Sequence, residues 1–180
     1  MKGVVFVEFL EMVENRFSFE MSDRIIESSN LPSKGVYTSV GTYDYHEILT
    51  LVENLSQQTN IPAEDLLKEF GQYLFKRFYE MFPVFFEGVK SSFDFLSRVE
   101  NYVHLEVKKL YADAELPTFE CSFPEPEQLN MKYQSKRNLR YLAEGLIKAC
   151  IEHYRESCNI EVKTVSGDPL TTLFLITKTA

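Results

Sequence analysis

Residues 131–145 read MKYQSKRNLRYLAEG. The first half alternates: Tyr133, Ser135 and Arg137 stand at every second position, and on a β-strand all three side chains point to one face. The second half loses that alternation, and a helix is predicted from about Asn138 to Glu156. On it Leu142, Leu146 and Ala149 line up, while Tyr141 shares its side with Gly145, Lys148 and Glu152 and is predicted to point away from the apolar side. A phenol, a hydroxyl and a guanidinium together suit a carboxylate or phosphate, because they combine hydrogen-bond donors with one fixed positive charge. The opposite strand face, Lys132, Gln134 and Lys136, is polar too. If one face packs inward it is the face with Tyr133, Ser135 and Arg137, and a buried arginine then needs an acidic partner. Alternating polar residues are also common on solvated sheet faces, so this spacing alone does not make a site.

Around this junction, Thr118 to Phe123 and Gln128 to Arg137 have strand texture on either side of Pro124-Glu125-Pro126-Glu127, a predicted hairpin. Ile160 to Val165 and Leu170 to Thr177 predict a second hairpin about Ser166-Gly167-Asp168-Pro169. Before Pro117 the periodicity is helical. Phe6, Phe9, Leu10, Val13 and Phe17 form one stripe, and Ser22 is a candidate cap for a short second helix. Asp44 is placed to open a helix carrying Ile48, Leu49, Leu51 and Val52 inward, and Asn60-Ile61-Pro62 leads into another through Phe70, Leu74 and Phe78. After a break at Pro83, one long helix is predicted from Ser91 or Ser92 to about Tyr111, with a stripe of Phe95, Leu96, Val99, Val103, Val107 and Leu110. The fold class is α+β: a helical N-terminal two-thirds, then antiparallel strands with an intervening helix, in a single domain over residues 1–180.

Composition narrows the function. The net charge of −8 argues against a nucleic-acid or anionic-membrane surface, either of which needs positive charge. Glu8 and Glu11 interrupt the apolar N-terminal run, so it reads as an amphipathic helix, and no apolar stretch approaches the ~20 residues of a membrane span. Cys121, Cys150 and Cys158 have neither disulfide-framework numbers nor metal spacing, which fits a reducing, cytoplasmic setting. No Gly-rich phosphate loop, nucleophile elbow or HExxH is present, so catalysis is not expected. Fifteen Phe and ten Tyr are a surplus of aromatics that either packs a core or walls a pocket.

Three histidines remain. His46 and His153 fall in polar surroundings without a second ligand one helical turn away. His104, in VENYVHLEVKKLY, borders the apolar stripe between Val103 and Val107. A histidine there is either a packed core residue or an axial ligand able to hold a haem iron from one side, and spacing does not choose between them.

His104 followed by Glu106-Val107 and Lys109-Leu110-Tyr111, then Pro117, then Tyr133-x-Ser135-x-Arg137, resembles the haem nitric oxide/oxygen binding (H-NOX) domain, a sensor fold also found in soluble guanylate cyclase. The start Met1-Lys2-Gly3, the Phe82-Pro83 break and Gly145-Leu146-Ile147 extend the resemblance over the whole chain. It implies haem b with His104 as the proximal iron ligand, Tyr133, Ser135 and Arg137 on the propionates, and Pro117 pressing on the haem. It places Val5, Phe9, Leu74, Phe78, Leu142 and Leu146 about the distal pocket. The distal tyrosine of oxygen-holding members falls here on Leu142, which implies binding of nitric oxide and carbon monoxide but no stable binding of oxygen. Relatives that carry zinc use C-terminal Cys and His residues; Cys158 has no following Cys or His, so no zinc is expected. The resemblance also implies signalling to a separate histidine kinase or cyclic-di-GMP enzyme. The competing reading is a haem-free α+β interaction module with His104 in its core; a haem enzyme would need a distal acid–base residue that is not visible.

Overall fold

The computed structural model describes residues 1–179. Helices α1 (Gly3–Arg16), α2 (Phe19–Ser28), α3 (Tyr45–Thr59) and α4 (Ala63–Met81) come first, then α5 (Ser92–Arg98) and α6 (His104–Leu110). Strands β1 (Thr118–Glu125) and β2 (Gln128–Gln134) follow, then α7 (Arg140–His153), β3 (Cys158–Val165) and β4 (Asp168–Lys178). This is the α+β order expected from the sequence.

Local chemistry accounts for most boundaries. Asp44 caps α3 by accepting from the His46 N–H at 3.0 Å, and Ser91 caps α5 by accepting from the Asp94 N–H at 3.1 Å. Asn60 ends α3 in the left-handed region (φ 57°), and Pro83 opens a single 3₁₀ turn, Pro83–Phe86. The cap of α2 is Ser18, which accepts from Met21 N–H at 3.2 Å, and not Ser22, which is buried inside the helix. The long helix expected up to Tyr111 is interrupted: Val99–Val103 form a π-turn, in which the His104 N–H donates to the Val99 carbonyl five residues back. The apolar stripe runs through this turn without a gap, so periodicity conceals the break. The π-turn leaves both Val103 and His104 on the cavity side of the helix.

Both hairpins join one antiparallel sheet in the order β1-β2-β4-β3. Across the two central strands Leu129 faces Ile176, Met131 faces Phe174 and Tyr133 faces Thr172, all buried. The other face is solvated, with Lys132 paired to Glu120 at 3.2 Å. The inward face of β2 is therefore the one that carries Tyr133, as its polar opposite face required.

Two apolar clusters build the interior. One joins α1 to α4; the other lies between α7, α5 and the sheet, and Leu146 touches both. Helices α4 and α7 cross at glycines on each. A Cβ on Gly71 would stand 2.9 Å from the Gly145 Cα, and a Cβ on Gly145 would stand 2.0 Å from the Lys68 carbonyl oxygen. Only glycine at both positions lets the backbones meet this closely. Tyr141, on the Gly145 side of α7, packs against the first cluster and does not line the cavity, while Leu142 and Leu146 do.

Candidate functional site

Between the two clusters lies a cavity of about 290 Å³ whose walls come from α1, α4, α5, α6, α7 and the sheet. Seven of the fifteen phenylalanines line it: Phe75, Phe78, Phe82, Phe85, Phe86, Phe95 and Phe119. Phe86 and Phe95 stack there at 4.5 Å between centroids. Much of the aromatic surplus is thus spent on a pocket wall, the arrangement of an apolar ligand site with a few polar groups at fixed places.

His104 is one of those polar groups. It is buried, and its Nδ1 lies 3.0 Å from Glu100 Oε2. Burial pushes the imidazole below the usual histidine range, with the Glu100 contact pulling the other way. A neutral ring facing a carboxylate carries its proton on Nδ1, so the contact is a hydrogen bond donated to Glu100. That leaves the lone pair on Nε2, which has no hydrogen-bond partner among the described residues.

Tyr133, Ser135 and Arg137 line the same cavity, although not as one strand face. β2 ends at Gln134, and Ser135 and Arg137 belong to a turn that leads through left-handed Asn138 (φ 48°) into α7. Ser135 N–H still donates across to the Leu170 carbonyl of β4 at 3.1 Å, and the strand then gives way to a local bond in which the Ser135 hydroxyl accepts from Arg137 N–H at 3.2 Å. The Tyr133 hydroxyl accepts from Leu139 N–H at 3.2 Å, which ties the strand to the start of α7; burial raises its pKa above the usual phenol range. Arg137 has the acidic partner its burial demanded. Its guanidinium is 3.0 Å from Glu115, whose own side chain is 86% exposed.

Pro117, Val5, Leu74, Phe78, Leu142 and Leu146 also line the cavity. Phe9 does not. It is fully buried edge-to-face on Phe70, with centroids 5.2 Å apart, so its ring is spent inside the first cluster and the α1 contribution to the cavity comes from Val4 and Val5. His46 and His153 are exposed and do not line the cavity, although the His153 ring packs behind the cavity residues Phe75 and Phe86. Sequence reasoning missed Glu100 and Glu115. Glu100 carried a signal, since a carboxylate four residues before a histidine shares its helix face; Glu115, in the loop before Pro117, carried none.

A family model described as Haem-NO-binding matches residues 2–162. The fold is similar to the crystal structure of the Fe(II) unliganded H-NOX protein from K. algicida, with a TM-score of 0.94, 38% identity and coverage of 100% of this chain and 97% of that one. It is similar to the H-NOX from Shewanella woodyi in the Fe(II)CO state, with a TM-score of 0.85, 38% identity and coverage of 99% and 95%. The S. oneidensis H-NOX protein in the Fe(II)NO state gives 0.92 at 25% identity, with both chains covered in full. No curated protein sequence matches. The stretch matched by the family model runs from α1 into β3, His104 and the turn from Tyr133 to Arg137 included, and the chain belongs to the H-NOX family of haem-based gas-sensor domains.

Proposed function

We propose that this protein is a single-domain, non-catalytic sensor over residues 1–180 that holds one haem b, takes nitric oxide and carbon monoxide, excludes stable oxygen and passes its state to a separate protein. The observation that carries this reading is the His104 imidazole, buried against an apolar cavity with Nδ1 engaged and Nε2 free. The cavity fits the group chemically: aromatic and aliphatic walls suit a porphyrin, and the cationic, hydroxyl-bearing end at Tyr133, Ser135 and Arg137 suits its carboxylates. A haem-free module would not need that combination. When bound, the haem would supply a ferrous iron able to take a diatomic gas.

His104 Nε2 would hold that iron. Arg137 gives a planar fork to a propionate in place of solvent-exposed Glu115, with the Tyr133 and Ser135 hydroxyls beside it. Pro117, on the cavity wall, would pack on the porphyrin. Because His104 stands where the π-turn meets the seven-residue α6, a change in the restraint on its imidazole shifts a short unit and not a long rod. That movement is the signal a histidine kinase or cyclic-di-GMP enzyme reads.

Arg137→Ala should release haem roughly tenfold to a hundredfold faster, since a charge-assisted hydrogen bond is worth about 1.5–3 kcal/mol. Haem transfer to an acceptor protein measures this, and an unaltered rate rejects the propionate role. Gas choice follows from donors. Val5, Leu74, Phe78, Leu142 and Leu146 have no hydrogen-bonding side-chain group, and oxygen depends on a donor for stable binding more than nitric oxide or carbon monoxide does. The ferrous protein should therefore shift its Soret band with nitric oxide and carbon monoxide and form no lasting oxygen complex in air. A persistent oxy spectrum in air rejects the exclusion, and a colourless protein that takes up no haem rejects the whole reading. Leu142→Tyr, which adds a phenol donor to the cavity wall, should raise oxygen affinity by about ten- to a hundredfold, the effect of a hydrogen bond worth roughly 1–3 kcal/mol.

A further inference from the structure

Glu100 belongs to no motif, yet one of its oxygens serves two donors. Oε2 accepts from His104 Nδ1 at 3.0 Å and from the Phe119 backbone N–H at 3.0 Å. Phe119 lies on β1, an edge strand paired only with β2, and its N–H finds a partner in this carboxylate. The Phe119 ring also lies against the imidazole, with centroids 5.6 Å apart. The π-turn brings these groups together, since Glu100 lies within it and His104 closes it.

We propose that Glu100 is the positioning residue for the proximal ligand: it sets the tautomer, orientation and donor strength of the His104 imidazole and fastens that ring to the edge of the sheet. The inference rests on the haem reading above. A carboxylate facing Nδ1–H keeps the proton there, leaves Nε2 as the ligating nitrogen and increases its basicity, which strengthens the bond to iron. The shared oxygen adds direction: the ring cannot swing about its side-chain torsions without losing a contact that β1 also uses. A π-turn is a local irregularity, and its wider turn gives the segment carrying His104 freedom that this anchor removes.

Glu100→Gln tests it, because the amide oxygen still accepts from both donors while the negative charge is gone. In the ferrous haem protein the iron–histidine stretching band should move to lower frequency, and transfer of haem to an acceptor should accelerate about tenfold or more, within the 10–100-fold range typical of lost outer partners of metal ligands. The melting temperature should stay close to that of the wild type. Glu100→Ala should show the same two changes together with a lower melting temperature, because the Phe119 N–H loses its partner. If both variants keep the wild-type band and release rate, and only the alanine variant melts lower, Glu100 is an edge cap for β1 and the proposal is wrong. A wild-type protein that binds no haem, or binds it without an iron–histidine band, overturns the haem reading beneath it instead.

Discussion

His104→Gly should leave a protein whose haem iron has no bond to the polypeptide unless free imidazole is added. His104 is the only histidine that lines the cavity, and no other described cavity residue offers an imidazole or a low-pKa thiol. The one thiol there, Cys150, is buried, and burial pushes it far above the usual cysteine range, so it has little tendency to form the thiolate that would ligate iron. The deletion also leaves room the size of the missing ring, bounded by Glu100 and Phe119, in which a free imidazole finds the same carboxylate acceptor. Haem affinity without imidazole should fall by more than the roughly 10–100-fold that loss of an outer partner costs, since here the ligand itself is gone. Absorption spectra of the ferrous protein with and without imidazole measure it. An unchanged five-coordinate spectrum in the absence of imidazole excludes His104 as the ligand.

Gly145→Ala is the second large effect, this time on stability. At an ordinary helix position the change would stabilise by about 1 kcal/mol through propensity. Here the new methyl group stands 2.0 Å from the Lys68 carbonyl oxygen, a rigid backbone atom, and near the Gly71 Cα at 3.0 Å. α7 and α4 must separate, and overpacking of this kind costs about 1–3 kcal/mol, more than the propensity gain. The melting temperature should drop by several degrees, at roughly 2–4 °C per kcal/mol for a chain of this size. Gly71→Ala presses on the same crossing, with its Cβ 2.3 Å from the Leu142 carbonyl, so the two changes together should cost less than the sum of each alone. A melting temperature equal to or above the wild type in Gly145→Ala would show that the crossing is not tight. Leu142 and Leu146 both line the cavity from this helix, so the same substitution should also loosen haem.

The order of elements was legible in the residues because it depends on local periodicity and punctuation. Pro83, Pro117 and Gly167 mark breaks, Asp44 and Ser91 mark helix starts, and the polar face at Lys132 and Gln134 marks the Tyr133 face of β2 as the buried one. Two expectations failed for a shared reason. Ser22 resembles a cap and Val99–Val103 resembles ordinary helix, but Ser18 was equally able to cap, and a π-turn changes hydrogen bonding without interrupting the apolar stripe. Arg137 keeps strand-like spacing although it lies in a turn, because the local bond from its N–H to the Ser135 hydroxyl turns the chain only after the last cross-strand bond, Ser135 to Leu170, and both side chains still line the cavity.

His104, Pro117 and the Tyr133, Ser135, Arg137 set were visible as residue types at family spacings, which a linear pattern can hold. The sequence by itself determined the α+β class, the inward face of β2, the lack of a donor at Leu142 and the need of Arg137 for an acidic partner. Tertiary structure alone decided that the partner is Glu115, that Glu100 joins His104 to Phe119, that Phe9 is spent on Phe70, and that Gly71 meets Gly145. Periodicity records the phase of a side chain within its own helix or strand. Where one element lies against another is set by the packing of the whole interior, and contacts between residues 19, 22, 61 or 74 positions apart exist only once that packing is complete.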